Sequence, residues 1–364
     1  MAVTAQMVKE LREMTGAGMM DCKKALVETD GDINAAVSVL KEKGLAKAAK
    51  KAGRIAAEGL VRIAISEDGK TAAIVEVNSE TDFVAKNEEF VTFVEELAKL
   101  ALSAESDDIE AFKAMSFGEA TVQDELNNKI AKIGENMSVR RIAKVSGDVV
   151  SSYIHGGGRI GVMVVGNGEG TDEIKAALTN IAMQVAAMSP QYVKREDISA
   201  EELEQLRREV EGSALNDPFT LPKPILNGLL DKAVDGVWDQ EDIDILAEKR
   251  ADKSFNFNYL PNFLSEGAKA KLAALAVADR DAIVENKIFG GLLEGRISKQ
   301  LKEICLMDQV YVRAEDGKQT VAKYLESVSK DLSLANVVRF AVGEGIEKKE
   351  EDFAAEVAAQ MAGN

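Results

Sequence analysis

The sequence predicts an α+β protein built from several modules, and three observations carry that reading. Short helices are specified near the N-terminus, a hairpin-plus-helix pattern occurs twice, and long helical runs precede the last strand. The 364 residues allow two or three domains, and 46% hydrophobic with 29% charged residues fits an ordinary soluble chain.

Residues 4–43 read as three short helices. Thr4 caps the first, in which Met7, Val8, Leu11 and Met14 recur at helical spacing until Thr15-Gly16-Ala17-Gly18 breaks the pattern. Met19 to Thr29 and Asp32 to Lys43 form the other two. By residue type alone the Met19-Met20 pair is read first as filling for a small core, with a soft partner-facing surface as the alternative. Lys41 to Arg54 carries six basic residues and one acid, Glu42, and is expected to be a solvated linker.

From Gly59 the apolar period shortens to that of strands. Leu60 to Ile65, a turn at Glu67-Asp68-Gly69, Thr71 to Val77 and a helix from Asn87 to Leu102 make the first unit. Val149 to Ile154, a turn at Gly156-Gly157-Gly158, Ile160 to Val165 and a helix from Thr171 to Met188 make the second. Each helix carries an apolar stripe suited to one sheet face: Phe90, Val94, Leu97 and Ala101 in one, Ile174, Leu178, Ile181, Val185 and Met188 in the other. Two halves related by duplication follow.

At the point where the second half needs only the turn Gly166 to Gly170, the first carries Thr81-Asp82-Phe83-Val84-Ala85-Lys86. Core packing does not call for an acid and a large aromatic side by side on a connection. Phe83 either folds back as a lid on its own core or projects to a partner, since leaving it in water forfeits roughly 1.5–3 kcal/mol of burial. Its presence in one copy only favours the partner.

After Pro190, Asp197-Ile198-Ser199-Ala200-Glu201-Glu202 signals a helix running to about Glu211. Gly212 to Asp281 reads as irregular, with four of the five prolines, the only tryptophan and a short helix at Ala268 to Ala278. Helical character resumes over Ile283 to Leu301, so the two long helices are expected to pair as an antiparallel arm. Asn336 to Val342 is a last strand, followed by a Gly343-Glu344-Gly345 turn and a small amphipathic helix from Phe353 to Met361.

Several function classes are disfavoured. A net charge of -17 argues against nucleic acid, whose binding depends on cations matched to phosphates. No window resembles a membrane span, and the start has neither an apolar leader nor an Arg-rich presequence, so a cytoplasmic protein is expected. Cys22 and Cys305 are isolated and indicate neither a disulfide framework nor zinc. One histidine, His155, leaves no multi-His metal site and little scope for a relay, and no nucleophile elbow occurs. The glycines after His155 serve a hairpin, and Gly166 to Gly170 places Glu169 where a phosphate loop would need none. Neither an enzyme of covalent chemistry nor a cofactor is expected.

Four segments together carry a resemblance: Leu11 through Leu26, Thr81 through Lys86, Ala131 through Asn136, and Gly343 through Lys348 with Asp352 through Val357. They resemble the translation elongation factor Ts family, the guanine-nucleotide exchange factors of elongation factor Tu, over residues 1–205 and 285–364. The resemblance implies a ubiquitin-associated-like three-helix module with the basic linker (1–54), a core N-subdomain (55–145), a core C-subdomain (146–195 and 302–346), a helical arm (196–301) with an insertion at about 212–281, and a C-terminal helical module (347–364). It implies elongation factor Tu as partner and no nucleotide bound by the chain itself. Met19, Met20, Thr81, Asp82, Phe83, Val84, His155 and Phe353 would meet that partner, Asp82 and Phe83 near its Mg²⁺ site, and for the methionines this displaces the core reading. The insertion has no counterpart in the common pattern and is taken as a neutral decoration, with a homodimer contact or an extra grip on the GTPase as the alternatives. The competing class is an adaptor that uses only the Met19-Met20 surface.

Overall fold

A computed structural model describes residues 3–15 and 17–347, which divide into two compact units, one of the described residues up to 189 together with 311–347 and the other of residues 190–310. The expected C-terminal helix and its Phe353 lie outside the described residues.

In the first unit, helices α1 (Ala5–Thr15), α2 (Met19–Glu28) and α3 (Ile33–Lys51) pack around Val8, Leu11, Cys22, Ala25, Leu26 and Ala36. The basic stretch is therefore not a linker. Leu45 through Lys51 are nearly all strong helix formers, so α3 continues through them, and Ala48 joins the core of the following sheet. Its lysines are largely solvent-exposed, as expected, and two of them also pair with acids: Lys47 bonds Asp21 at 3.0 Å, and Lys43 bonds Glu28.

Strands β1 (Glu58–Ile65) and β2 (Thr71–Ser79) form the first hairpin. A single helical turn, α4 (Asp82–Ala85), and α5 (Glu88–Ala101) follow. Residues 103–148, for which patterning specified no element, contain α6 (Ile109–Ala114), the two-residue strands β3 (Ser116–Phe117) and β4 (Ala120–Thr121), α7 (Val122–Ile133) and β5 (Met137–Ser146). The second hairpin is β6 (Val149–His155) and β7 (Ile160–Asn167), with α8 (Asp172–Met188) after it.

Apart from the short β3-β4 pair, the strands form two three-stranded antiparallel sheets, β1-β2-β5 and β6-β7-β8, the last strand being β8 (Ser333–Ala341). β2 is central and buried on both faces, so its residues alternate between two cores. Ala73, Val75 and Val77 face α5 and its Phe90, Phe93, Val94 and Leu97, whereas Ala72 and Ile74 face Val150, Met163 and Val165 of the other sheet.

The second unit holds α9 (Ala200–Asn216), α10 (Lys223–Val234), α11 (Gln240–Ala251), α12 (Glu266–Ala278), α13 (Arg280–Val284) and α14 (Lys287–Ile304). Helices α9 and α14 run in opposite senses: Tyr192 N donates to Ile304 O at 3.1 Å before α9 begins, and Arg207 pairs with Glu294 at 3.4 Å. The expectation of an irregular 212–281 is overturned. Pro224 sits in the first turn of α10, where a proline costs no hydrogen bond and starts a helix rather than breaking one. Leu230, Trp238, Leu260, Leu272 and Phe289 make an apolar core of this unit's own. Its polar exceptions are satisfied: Trp238 Nε1 donates to Ala268 O at 2.9 Å, and buried Asp242 accepts from Ser265 N and Oγ at 2.8 and 2.7 Å.

The chain returns to the first unit through α15 (Val321–Val328) and β8 (Ser333–Ala341), which begins three residues earlier than the pattern indicated and pairs with β7.

The sole tryptophan lies in the second unit, which makes its stability separately readable. Phe289→Ala removes a fully buried ring and is expected to cost about 3–5 kcal/mol. Denaturation followed by Trp238 fluorescence should show that loss, with the wild-type midpoint as the contrary result.

Candidate functional site

The chain leaves β2 through Ser79, which is buried, and turns at Glu80 and Thr81. Thr81 is the N-cap of α4: its hydroxyl oxygen accepts from Val84 N at 3.4 Å. The same hydroxyl donates to Glu135 Oε1 at 2.9 Å, and Thr81 N donates to Glu135 Oε2 at 3.1 Å. One residue earlier, Glu80 Oε1 accepts from Asn136 N at 2.5 Å, and Asn136 Nδ2 donates to Arg54 O at 2.7 Å. Both backbone neighbours of the turn are thus tied to the α7–β5 connection.

A helix of four residues has too few internal bonds to persist alone, so these outside contacts hold it. Val84 is its inward residue, 5% exposed in the core under α5. Phe83 points the other way and is 79% exposed, which overturns the lid alternative. Asp82, also outward, bonds Lys86 Nζ at 2.6 Å across one turn. That bond, with the charges of Lys86 and Arg159, holds the Asp82 carboxyl below the usual carboxylate range, so it is ionised at neutral pH.

Arg159 links this turn to the second hairpin. The His155-Gly156-Gly157-Gly158 turn lies on β1: Val61 N donates to Gly158 O at 2.8 Å, Arg62 Nη1 donates to Gly157 O at 3.2 Å, and Arg159 Nη2 reaches Glu58 Oε2 at 3.1 Å. Gly158 has φ +117°, and a Cβ there would lie 2.1 Å from Arg62 Nη1, so only glycine allows the approach. Glu58 is paired across the sheet with Ser79, the residue from which the Thr81 turn departs. Thr81, Asp82, Phe83 and Val84 therefore follow the end of β2 that pairs with the start of β1, where Arg159 of the second hairpin reaches Glu58, while the glycine turn that follows His155 lies on the middle of β1. His155 is exposed, with Nδ1 3.1 Å from the Tyr153 hydroxyl.

Met19 and Met20 stand elsewhere, in the first turn of α2 within the three-helix bundle. They are 60% and 63% exposed, so the core-filling alternative is overturned for both. Met14 and Val27 are exposed on the same bundle.

Sequence reasoning gave no role to Glu135, Asn136 or Arg159. The Ala131–Asn136 motif was visible, but that its Glu135 reaches back 54 residues to Thr81 was not. Among the described residues no group of three or more His, Cys, Asp or Glu side chains could hold a metal ion, and no helix is long and apolar enough to cross a membrane.

Thr81→Val removes the cap and one arm of the Glu135 clamp. A capping threonine contributes about 0.5–2 kcal/mol, so hydrogen exchange at residues 83–86 should quicken roughly 2- to 30-fold with the global melting temperature little changed. Unaltered exchange there would show that the clamp does not hold the turn.

The chain was compared with known proteins. A family model described as Elongation factor TS matches residues 80–344. Elongation factor Ts of Clostridioides difficile strain 630 is 43% identical over 364 residues, covering 99% of each chain. Elongation factor Ts of Clostridium tetani is 44% identical over 369 residues, again with 99% of each covered, and that of Clostridium kluyveri is 43% identical over 371. The alignments run through the segment 212–281 as well, so a second unit of this length is shared with these relatives. A match of this extent over both units settles the family: the chain belongs to the elongation factor Ts family of translation elongation factors.

Proposed function

We propose that this protein binds elongation factor Tu carrying GDP and promotes release of the GDP, so that GTP can take its place. The reading rests on family membership and on one observation: a phenylalanine that is 79% exposed on a helical turn clamped by Glu135 and Asn136 of the α7–β5 connection. A large aromatic held out in water on a braced turn is matched to burial in another molecule.

Phe83 acts as an apolar wedge between partner helices next to the nucleotide. Asp82, ionised and adjacent, disturbs the groups that orient the partner's Mg²⁺ ligands, and weakening the metal weakens the hold on the β-phosphate. The His155 turn contacts the partner as well, on the side of its other domains. Met19 and Met20 on the three-helix module and Phe353 in the C-terminal segment hold its nucleotide domain. In this reading the three-helix module is of ubiquitin-associated type, the two sheets with their helices are copies of one ancestral unit, and residues 190–310 form the arm.

Linkage supplies the mechanism. If factor and nucleotide each lower the other's affinity for elongation factor Tu by one coupling free energy, the ternary complex is transient. GDP leaves, and GTP then displaces the factor. No covalent bond is made or broken, and the acidic surface is no obstacle because the contact is between proteins. A translation factor working this way belongs in the cytoplasm.

Burial of the Phe83 ring in the nucleotide-free complex is worth roughly 1.5–3 kcal/mol, about one to two decades in rate. Asp82→Ala combined with Phe83→Ala should leave the fold intact and slow release of labelled GDP from elongation factor Tu about 10- to 100-fold in stopped flow. An unchanged release rate would remove the wedge.

A further inference from the structure

Helix α3 belongs to two cores. Its first half closes the three-helix module, with Ala36 buried there and Ile33, Val37 and Leu40 packed beside it. Its second half lies against α7 and the first sheet: Gly44 is buried, with Ala131 Cβ 3.9 Å from where a Cβ on it would stand, and Ala48 enters the core shared by β2 and α5. Lys41 reaches Asp124 in the first turn of α7 at 3.8 Å, and Lys47 holds Asp21, the neighbour of Met20, at 3.0 Å. One unbroken run of 19 helical residues thus passes from the module into the core. An α-helix of that length is a stiff rod of about 28 Å.

Where α3 ends, its exit is knotted to the exit of β2. Asn136 is buried; its Nδ2 donates to Arg54 O at 2.7 Å, and its backbone N donates to Glu80 Oε1 at 2.5 Å. Arg54 Nη1 lies 3.5 Å from the same Glu80 oxygen. The next residue on each side closes the knot, because Thr81 donates from N and hydroxyl to Glu135 at 3.1 and 2.9 Å. Asn136 therefore joins three segments: the connection it sits on, the chain leaving α3 and the chain entering the Phe83 turn. A carbonyl just past a helix can be satisfied by water, so a buried amide spent on Arg54 O is better explained by the position it fixes than by the energy it adds.

We infer that Asn136 is a positioning residue that latches the end of α3 to the Phe83 turn, so that the module displaying Met19 and Met20 and the turn displaying Phe83 meet the partner GTPase as one rigid surface. The inference rests on the proposed function. With a rigid frame, contact made at the methionines helps to drive Phe83 in against bound nucleotide and so raises the maximal release rate. With a loose one, the same contact only tightens binding.

The test is a cycle in the full-length chain of Asn136→Ala, Met20→Ala and the double variant, measuring GDP release from elongation factor Tu against factor concentration. Each single variant should lower the maximal rate about 3- to 10-fold. With Asn136 already alanine, Met20→Ala should change the maximal rate by less than about twofold and raise only the half-saturating concentration. Equal factors on the maximal rate in both backgrounds, or no effect of Met20→Ala on it in either, would overturn the inference. Hydrogen exchange reads the latch without the partner: Asn136→Ala should quicken residues 52–55 and 83–86 together, about 2- to 10-fold. Quickening at one of these stretches alone, or at neither, would refute it. Should Asn136→Ala not fold, Arg54→Ala cuts the knot from its exposed side and should give the same pattern at about 2- to 3-fold, with equal factors again contradicting the inference. A wild-type chain that fails to accelerate release would instead refute the proposed function, and the exchange measurement then decides the latch by itself.

Discussion

The pair of hydrogen bonds from Thr81 to Glu135 is the constraint on which the display of Phe83 depends. A four-residue helix has almost no stability of its own, and an exposed phenylalanine gives it none, because the favourable place for that ring would be the protein's own core. The clamp removes that option. With Thr81 held at backbone and side chain, and Val84 committed inward, helical geometry sends Phe83 outward. The unburied aromatic surface is then available to a second molecule at little further ordering cost, which is the benefit of preorganisation.

The same logic governs the wider scaffold. Polar side chains in this unit sit where they tie segments distant in sequence: Glu80 and Asn136 to Arg54, Arg62 to the Gly157 carbonyl, Arg159 to Glu58, and Glu76 to the turn after β8. The apolar cores on either face of β2 supply the bulk of the burial, and these ties decide which loop lies beside which. Three separate stretches, around residues 58, 81 and 158, converge on β1 as a result. On the proposed function no catalytic group is needed there, since exchange would require only a shaped surface that competes with bound nucleotide.

Much of this was legible in the residues. The two hairpins and the helices after them announce themselves by period and by turn glycines, and the anomaly of Asp82-Phe83 on a connection that could have been a plain turn marks the candidate site. What was hidden has physical reasons. Composition made Lys41 to Arg54 look like a linker, whereas helix propensity and burial of Ala48 continue α3 through it. Prolines 218, 222, 224 and 261 suggested irregularity, yet Pro224 opens a helix and Pro261 sits in a short 3₁₀ segment. Strand β5 escaped because Ser138, Arg140, Arg141 and Lys144 dilute its alternation, and the reason for both arginines, a buried carboxylate 64 and 65 residues away, is a tertiary fact. Glu135 was hidden for the same reason.

The central claim is that Phe83 enters the nucleotide site of another protein. The most direct measurement is a photo-cross-link from a photoreactive phenylalanine analogue carried at position 83, in complex with nucleotide-free elongation factor Tu. The account predicts adducts confined to the partner's nucleotide domain beside its Mg²⁺ and phosphate-binding residues, suppressed by excess GDP with Mg²⁺. Adducts within this chain's own core, or on a partner surface remote from the nucleotide, would contradict it.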